Sequence, residues 1–244
     1  KAENTEMELH VTYNDHTEVF TPQHLENVSN ADVTFANDTF TIRHDFLQDY
    51  TDLKIQGLAD PSTGTVPSVV LDGIVNGSVY ADGVKNATLQ GDYNGYLVDD
   101  DVMISASRDV KITNPIGGGV REYLTVYAAQ DVTVHANSGE RYAVEGAANI
   151  TCTGDVTLTN DSGAAVDYLL TIAGARDVTI TGNVTVPNNK DREELIGYDE
   201  DEEHSIRCSG TVTLRNEGDG DLFTNQLTYT PDTSVEVYRR DLIF

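Results

Sequence analysis

The chain is 244 residues long and carries 41 acidic against 15 basic residues, a formal net charge of −26. A surface this negative repels nucleic-acid phosphates and anionic lipid, and it would repel a polyuronate unless calcium or a local basic groove intervened. No apolar run reaches the ~18 residues of a membrane span, two cysteines give no disulfide framework, and the length allows one large core in a single domain.

A soluble protein without membrane insertion is expected. The chain begins at Lys1 with no Met and no signal-like run, which suits a processed or trimmed chain and is no proof of export. Residues 1–50 are irregular. Met7–Tyr13 alternates well enough for an edge strand, and Ala31–Phe35 and Thr39–Arg43 read as further strands, so this part is taken as a cap plus a first coil. His10, His16, His24 and His44 fall here at spacings that do not suit metal ligation. Residues 51–244 then read as a stack of coils closed by a C-terminal capping tail, with Asp60–Pro67 as a loop.

The repeat is clearest from Asn149 to Asn216. Cys152-Thr-Gly-Asp-Val-Thr-Leu-Thr-Asn160, Ile180-Thr-Gly-Asn-Val-Thr-Val-Pro-Asn188 and Cys208-Ser-Gly-Thr-Val-Thr-Leu-Arg-Asn216 recur at one constant interval, the step from Cys152 to Ile180 equalling that from Ile180 to Cys208. Period-two alternation makes each unit a pair of short strands with Val and Ile inside and Thr outside. Such strands are stable only when stacked, which predicts an all-β, single-domain parallel β-solenoid of about eight to nine coils.

In this reading Cys152, Ile180 and Cys208 share one interior file. The two thiols sit two coils apart, about 9 to 10 Å at ~4.8 Å per coil, too far for a disulfide. Asn160, Asn188 and Asn216 turn left-handed corners and could bond along the stack.

Equivalent first strands begin at Asn86, Asp109, Asp131, Asn149, Asp177 and Ser205. A third run per coil is led by Tyr96, Tyr123, Tyr142, Tyr168, Leu195 and Leu222. The outward face of the first strand is expected to carry Thr133, Thr151, Thr153, Thr179 and Thr181, residues well suited to exposed strands.

From about Asp52 to Tyr238 the Asp-Val-Thr-Ile-Thr-Gly type of coil resembles the right-handed parallel β-helices of the pectin-lyase-like superfamily. That resemblance implies polysaccharide lyases and glycoside hydrolases as relatives. Lyases of this fold hold calcium on acidic residues and use a basic residue on a uronate; the hydrolases use paired carboxylates. The acidic candidates are Asp99, Asp100 and Asp101, although adjacent strand residues cannot all face one groove and a bend is the simpler reading. Arg108 and Arg121 are the candidate bases. The Gly-His-Gly, Arg-x-Lys, Arg-x-Pro-x-x-Arg and Trp-x-Asp-His elements of these enzymes are missing, and the chain has no Trp.

Sugar platforms would therefore come from Tyr96, Tyr123, Tyr142 and Tyr168. Asp199, Asp201 and Glu203, in an acidic run, are the candidate calcium ligands, although the run lacks the spacing of a dedicated loop and a solvated face explains it as well. Without an assembled catalytic motif, the expectation is an exported or cell-surface bacterial β-helix serving as a binding or adhesion module for carbohydrate. No cofactor other than calcium is implied, and the oligomeric state is left open. The alternatives are a carbohydrate-active enzyme with an acidic groove, and a structural segment of a larger surface protein.

Overall fold

The computed structural model describes residues 6–27, 30, 32–185, 194–197, 203–223, 227–229 and 234–239. It is all-β and solenoid-like apart from one short helix, Pro22–Asn27. Two ten-stranded, mostly parallel sheets run its length. Sheet A stacks Leu53–Leu58, Val79–Val84, Val102–Ala106, Leu124–Ala129, Ala148–Cys152, Leu170–Ala175, His204–Cys208 and Leu227–Tyr229. Sheet B stacks Thr39–Arg43, Ser68–Asp72, Ala87–Gln90, Val110–Asn114, Val132–Ala136, Val156–Asn160, Val178–Gly182, Thr211–Asn216 and Ser234–Arg239. The chain visits sheet A, then sheet B, then a third, narrow face, and repeats.

That third face is a ladder of about one residue per coil. Phe46, Val75, Val98, Val120, Val144, Val166, Ile196 and Phe223 pair in parallel, each with the next. Between the faces the core is continuous, because among the described side chains the stacked strands from Thr39–Arg43 to Thr211–Asn216 put alternate, mostly aliphatic residues inward. Successive coils step from Val79 to Val102, Leu124, Ala148 and Leu170 at nearly even spacing. The next step is much longer, Thr171 pairing with Ser205.

These registers correct the repeat read from the sequence. Cys152 and Cys208 do occupy one inward column of sheet A, with Ala175 in the coil between them. Ile180, however, lies in sheet B between Leu158 and Leu214. The span from Cys152 to Cys208 is one ordinary coil and one enlarged one, and halving it lands on the wrong sheet. Both sheets carry the same Val-Thr-aliphatic alternation, so an out-of-phase copy looks genuine. The same error joined Asn149 and Ser205 of sheet A to Asn86, Asp109, Asp131 and Asp177, which lead sheet B strands.

Thr133, Thr157, Thr179 and Thr213 line one outward column of sheet B, with Thr159 and Thr181 beside it. Thr151 belongs to sheet A, and Thr153 lies in the turn between the sheets.

The cap consists of two antiparallel hairpins. Glu8–Tyr13 is not an edge strand: it pairs with Leu53–Leu58 on one side and with His16–Phe20, the true edge, on the other. Val33–Ala36 covers the end of sheet B in the same way. Both hairpins turn through Asn-Asp pairs with positive φ, Asn14 and Asp15 (52° and 59°) and Asn37 and Asp38 (52° and 58°). Two consecutive left-handed residues make the tight turn whose twist matches paired strands.

The corner from sheet A to sheet B explains why Asp precedes Val-Thr at Asp131, Asp155 and Asp177. Side-chain oxygens of Ser68, Asn86, Asp109, Asp131, Asp155 and Asp177 each accept the backbone N–H of the corner residue one coil on, at 2.8–3.2 Å. Arg176 adds a two-pronged bond to Asp155, at 2.6 and 2.9 Å, which holds that carboxyl below its usual range. His204, fully buried, is fixed as a neutral tautomer: Nδ1 accepts the Leu170 N–H at 3.2 Å and Nε2 donates to the Gly197 carbonyl at 2.9 Å.

Both thiols are free and buried, and burial pushes the Cys152 thiol up in pKa. Native protein should therefore leave a thiol-reactive chromophore unchanged over minutes, while denatured protein should titrate two thiols per chain. Rapid reaction of the native protein would contradict this placement.

Candidate functional site

The third face carries the site. In a ladder whose valines point inward, the next residue of each coil points out, and in successive coils these are Asn76, Asp99, Arg121, Glu145 and Asp167. Acids thus flank Arg121 from the coils on both sides. Its Nη1 donates to both carboxylate oxygens of Asp99, at 3.2 and 3.3 Å. Asp99, its hydrogen bond, Glu145 and Glu122 together hold the Arg121 guanidinium above its ordinary pKa. Glu122, at the neighbouring corner, is raised by partial burial and by Asp100, Asp101 and Glu145, against the pull of Arg121.

Around this pair lies an open groove of about 830 Å³. Asp49 and Asn76 bound one end, Glu140, Arg141 and Glu145 the other, and Tyr93, Asn94 and Tyr96 form a side. Two glycines make room for the tyrosine rings. A Cβ on Gly95 would strike the ring of Tyr93, and one on Gly118 would strike the ring of Tyr96. Tyr96 lies almost buried against the next coil, and its hydroxyl accepts the Tyr142 backbone N–H two coils on, at 3.2 Å. Tyr93 remains 39% exposed and presents an aromatic surface to the groove.

The Tyr93 loop is tied down by Asn114. The Asn114 side chain, fully buried, shares its two amide N–H groups among the carbonyls of Tyr93 (2.9 Å), Gly95 (3.2 Å) and Gly118 (2.8 Å), and accepts the Tyr93 N–H (3.1 Å). Asn160 and Asn216 do the same two and four coils on. Ala136 occupies the same column in the coil between Asn114 and Asn160, and Gly182 precedes Asn216 in it. The asparagines therefore do not bond to one another as a stack, nor is their φ positive. Each clamps the turn of its own coil to the turn of the coil before. Asn188 lies outside the described residues.

Of the residues singled out from the sequence, Asp99, Arg121 and Tyr96 converge on this groove. Asp100 and Asp101 sit with Asp99 in a half-buried turn, as alternation required. Asp101 is engaged locally, its carboxylate accepting the Tyr123 N–H at 3.0 Å and its own N–H donating to Ser78 Oγ at 3.2 Å. Arg108 lies at the corner between sheets A and B, where Nε donates to Gln130 at 3.3 Å, away from the three aspartates.

Tyr142 is buried, whereas Tyr123 and Tyr168 are exposed at the corner entering sheet A and do not line the groove. Asp199 and Asp201 lie outside the described residues, and Glu203 is exposed. Among the described residues no group of three or more His, Cys, Asp or Glu is placed to hold a metal. Among them, too, no helix is long and apolar enough to cross a membrane.

Asp49, Asn76, Tyr93, Glu140, Arg141 and Glu145 were not singled out beforehand. The residue after each ladder valine could have been read once the third face was in register; the others come from turns, which have no period to read. No protein-family model matches the chain, and neither a curated protein nor a solved structure does.

Proposed function

We propose that the protein is an exported or cell-surface carbohydrate-binding module, a right-handed parallel β-helix of the pectin-lyase-like kind, that takes glycan in the groove of its third face. The observation that carries this reading is the Asp99–Arg121 pair held beside the exposed ring of Tyr93. Planar, paired donors and acceptors suit the hydroxyls of a sugar, and the tyrosine face suits its C–H face. The net charge of −26 favours an uncharged glycan over a polyuronate.

A glycan array, run with and without calcium, should show saturable binding. Arg121→Met, which removes a charged donor, should weaken it about tenfold or more, and Tyr93→Ala should weaken it severalfold. Silence on a broad array removes the carbohydrate reading.

A second reading, a carbohydrate-active enzyme, is favoured by one feature: Asp99 and Glu145 reach the same groove from coils on either side of Arg121. Paired carboxylates are what glycoside hydrolysis needs. Arg121 is poorly suited to act as a base there, because its acidic neighbours hold its proton. Reducing or unsaturated ends released from a polysaccharide panel would decide for the enzyme.

A further inference from the structure

The outer face of sheet A carries a strip of large, partly exposed apolar side chains that meet across adjacent coils. Tyr80 and Met103 are register partners in adjacent coils, and Tyr127 lies diagonally beyond, paired with Ser105. Met103 is 44% and Tyr127 47% exposed, Tyr80 is partly buried, and it is their contiguity as one patch that carries information. They line a shallow groove of about 660 Å³, flanked by Lys54, Gln56 and Asp82 and closed at one end by Thr12 and Thr17 of the first hairpin.

The chemistry of this strip narrows its occupant. Within the lining Lys54 and Asp82 balance in charge and the nearby His10 is engaged by Glu8 at 2.8 Å, while Asp52, Asp100 and Asp101 act on Tyr80 from beside the groove, so no excess of positive charge gathers there on a chain of net charge −26. Polyanions gain little here, and the field of the whole protein repels them. An extended peptide is also a poor fit. Strands in mid-sheet have their backbone groups paired on both sides, leaving nothing for main-chain addition. What fits is a ligand with flat C–H faces to lie on two tyrosines and a methionine, and with uncharged hydroxyls at its edges for Gln56, Ser105 and the threonines.

We infer that the outer face of sheet A is a second glycan platform, on which Tyr80, Met103 and Tyr127 stack against the sugar rings of a neutral polysaccharide. The inference rests on the carbohydrate reading of the third-face groove and gives the same polymer a separate point of contact on another face.

The test is retardation in native gels cast with galactomannan, xyloglucan, hydroxyethylcellulose or mixed-linkage glucan, comparing wild type, a strip variant and a groove variant. The strip variant carries Tyr80→Thr, Met103→Thr and Tyr127→Thr; threonine is favourable on exposed strands, and circular dichroism checks the fold. The groove variant carries Tyr93→Ala and Arg121→Met. In the gel that retards wild type, the strip variant should lose at least about fivefold in apparent affinity, and the groove variant should keep residual retardation. Tyr80→Phe with Tyr127→Phe, which preserves the rings, should migrate as wild type. With no Trp in the chain, wild type should also show a tyrosine difference spectrum on adding the polymer, diminished in the strip variant.

A strip variant retarded like wild type, with the groove variant not retarded at all, overturns the second platform and leaves the groove standing. A groove variant retarded like wild type, with the strip variant not retarded, places binding on sheet A alone and overturns both the groove and the two-site arrangement. Wild type that passes all four gels unretarded overturns both readings.

Discussion

Replacing Asn114 with alanine should cost about 3–5 kcal/mol of stability, a large part of the 5–15 kcal/mol typical of a folded domain, and should weaken binding in the third-face groove. The carboxamide reaches four backbone groups, one of its N–H groups shared between two carbonyls, at a site without solvent exposure. Alanine would leave the carbonyls of Tyr93, Gly95 and Gly118 and the Tyr93 N–H to find other partners. An orphaned buried group costs about 1–3 kcal/mol, and the sum falls below four full penalties because the turn relaxes and admits water. Asn114→Asp should be no milder, since a carboxylate offers no donors to three carbonyls.

Urea unfolding followed by far-UV circular dichroism gives the loss of stability. Asn216→Ala separates the two effects. Asn216 makes the corresponding bonds to Val184, Gly218 and Gly220, far along the stack from the groove. It should destabilise comparably and leave the proposed glycan binding intact at temperatures where the variant is folded. A change of less than about 1 kcal/mol in Asn114→Ala would mean that the clamp is not a principal tie between coils.

These clamps also show what could and could not be read from the chain alone. Alternation made the strands legible, and stacking followed because strands this short need neighbours. Cys152 and Cys208 were correctly placed as free, buried and two coils apart. Phase was not legible. Val156-Thr-Leu and Val178-Thr-Ile of sheet B look like Ala148-Asn-Ile and Leu170-Thr-Ile of sheet A, and periodicity reports an alternation without reporting which sheet receives it. The third face was legible in part: the runs after Tyr96, Tyr142, Leu195 and Leu222 fall on it, whereas those after Tyr123 and Tyr168 belong to sheet A, since an isolated pairing residue such as Val144 or Val166 is too short to show any period.

The tyrosines therefore divided unexpectedly. Tyr96 and Tyr142 precede ladder valines and are buried, whereas Tyr123 and Tyr168 lead into sheet A and are exposed. Outward positions on sheet A such as Met103 and Tyr127 could have been found by alternation within their own strands. Their meeting across coils depends on a register that only the structure supplies.

The close approach of coils behind the groove leads to the second large effect, at Gly146. Gly146 follows Glu145, and its N–H donates to the Arg121 carbonyl at 3.1 Å, so it ties the coil bearing Glu145 to the coil bearing Arg121. A Cβ there would fall on the backbone carbonyl of Glu122, which belongs to the stack and cannot rotate aside as a side chain could. Its φ is not positive, so the constraint is space rather than conformation. Gly146→Ala must separate two coils locally, stretch the bond to Arg121 and shift Glu145 relative to Asp99. Overpacking typically costs about 1–3 kcal/mol and a strained backbone hydrogen bond about 1, so about 2–4 kcal/mol is expected. Gly139→Ala is the matched control: its Cβ would meet only the Ser162 carbonyl, at 3.4 Å. That variant should change stability by less than about 0.5 kcal/mol. If the two glycine variants unfold at the same urea concentration, the spacing between coils is looser than their hydrogen bonds imply, and the groove is not held rigid by the stack behind it.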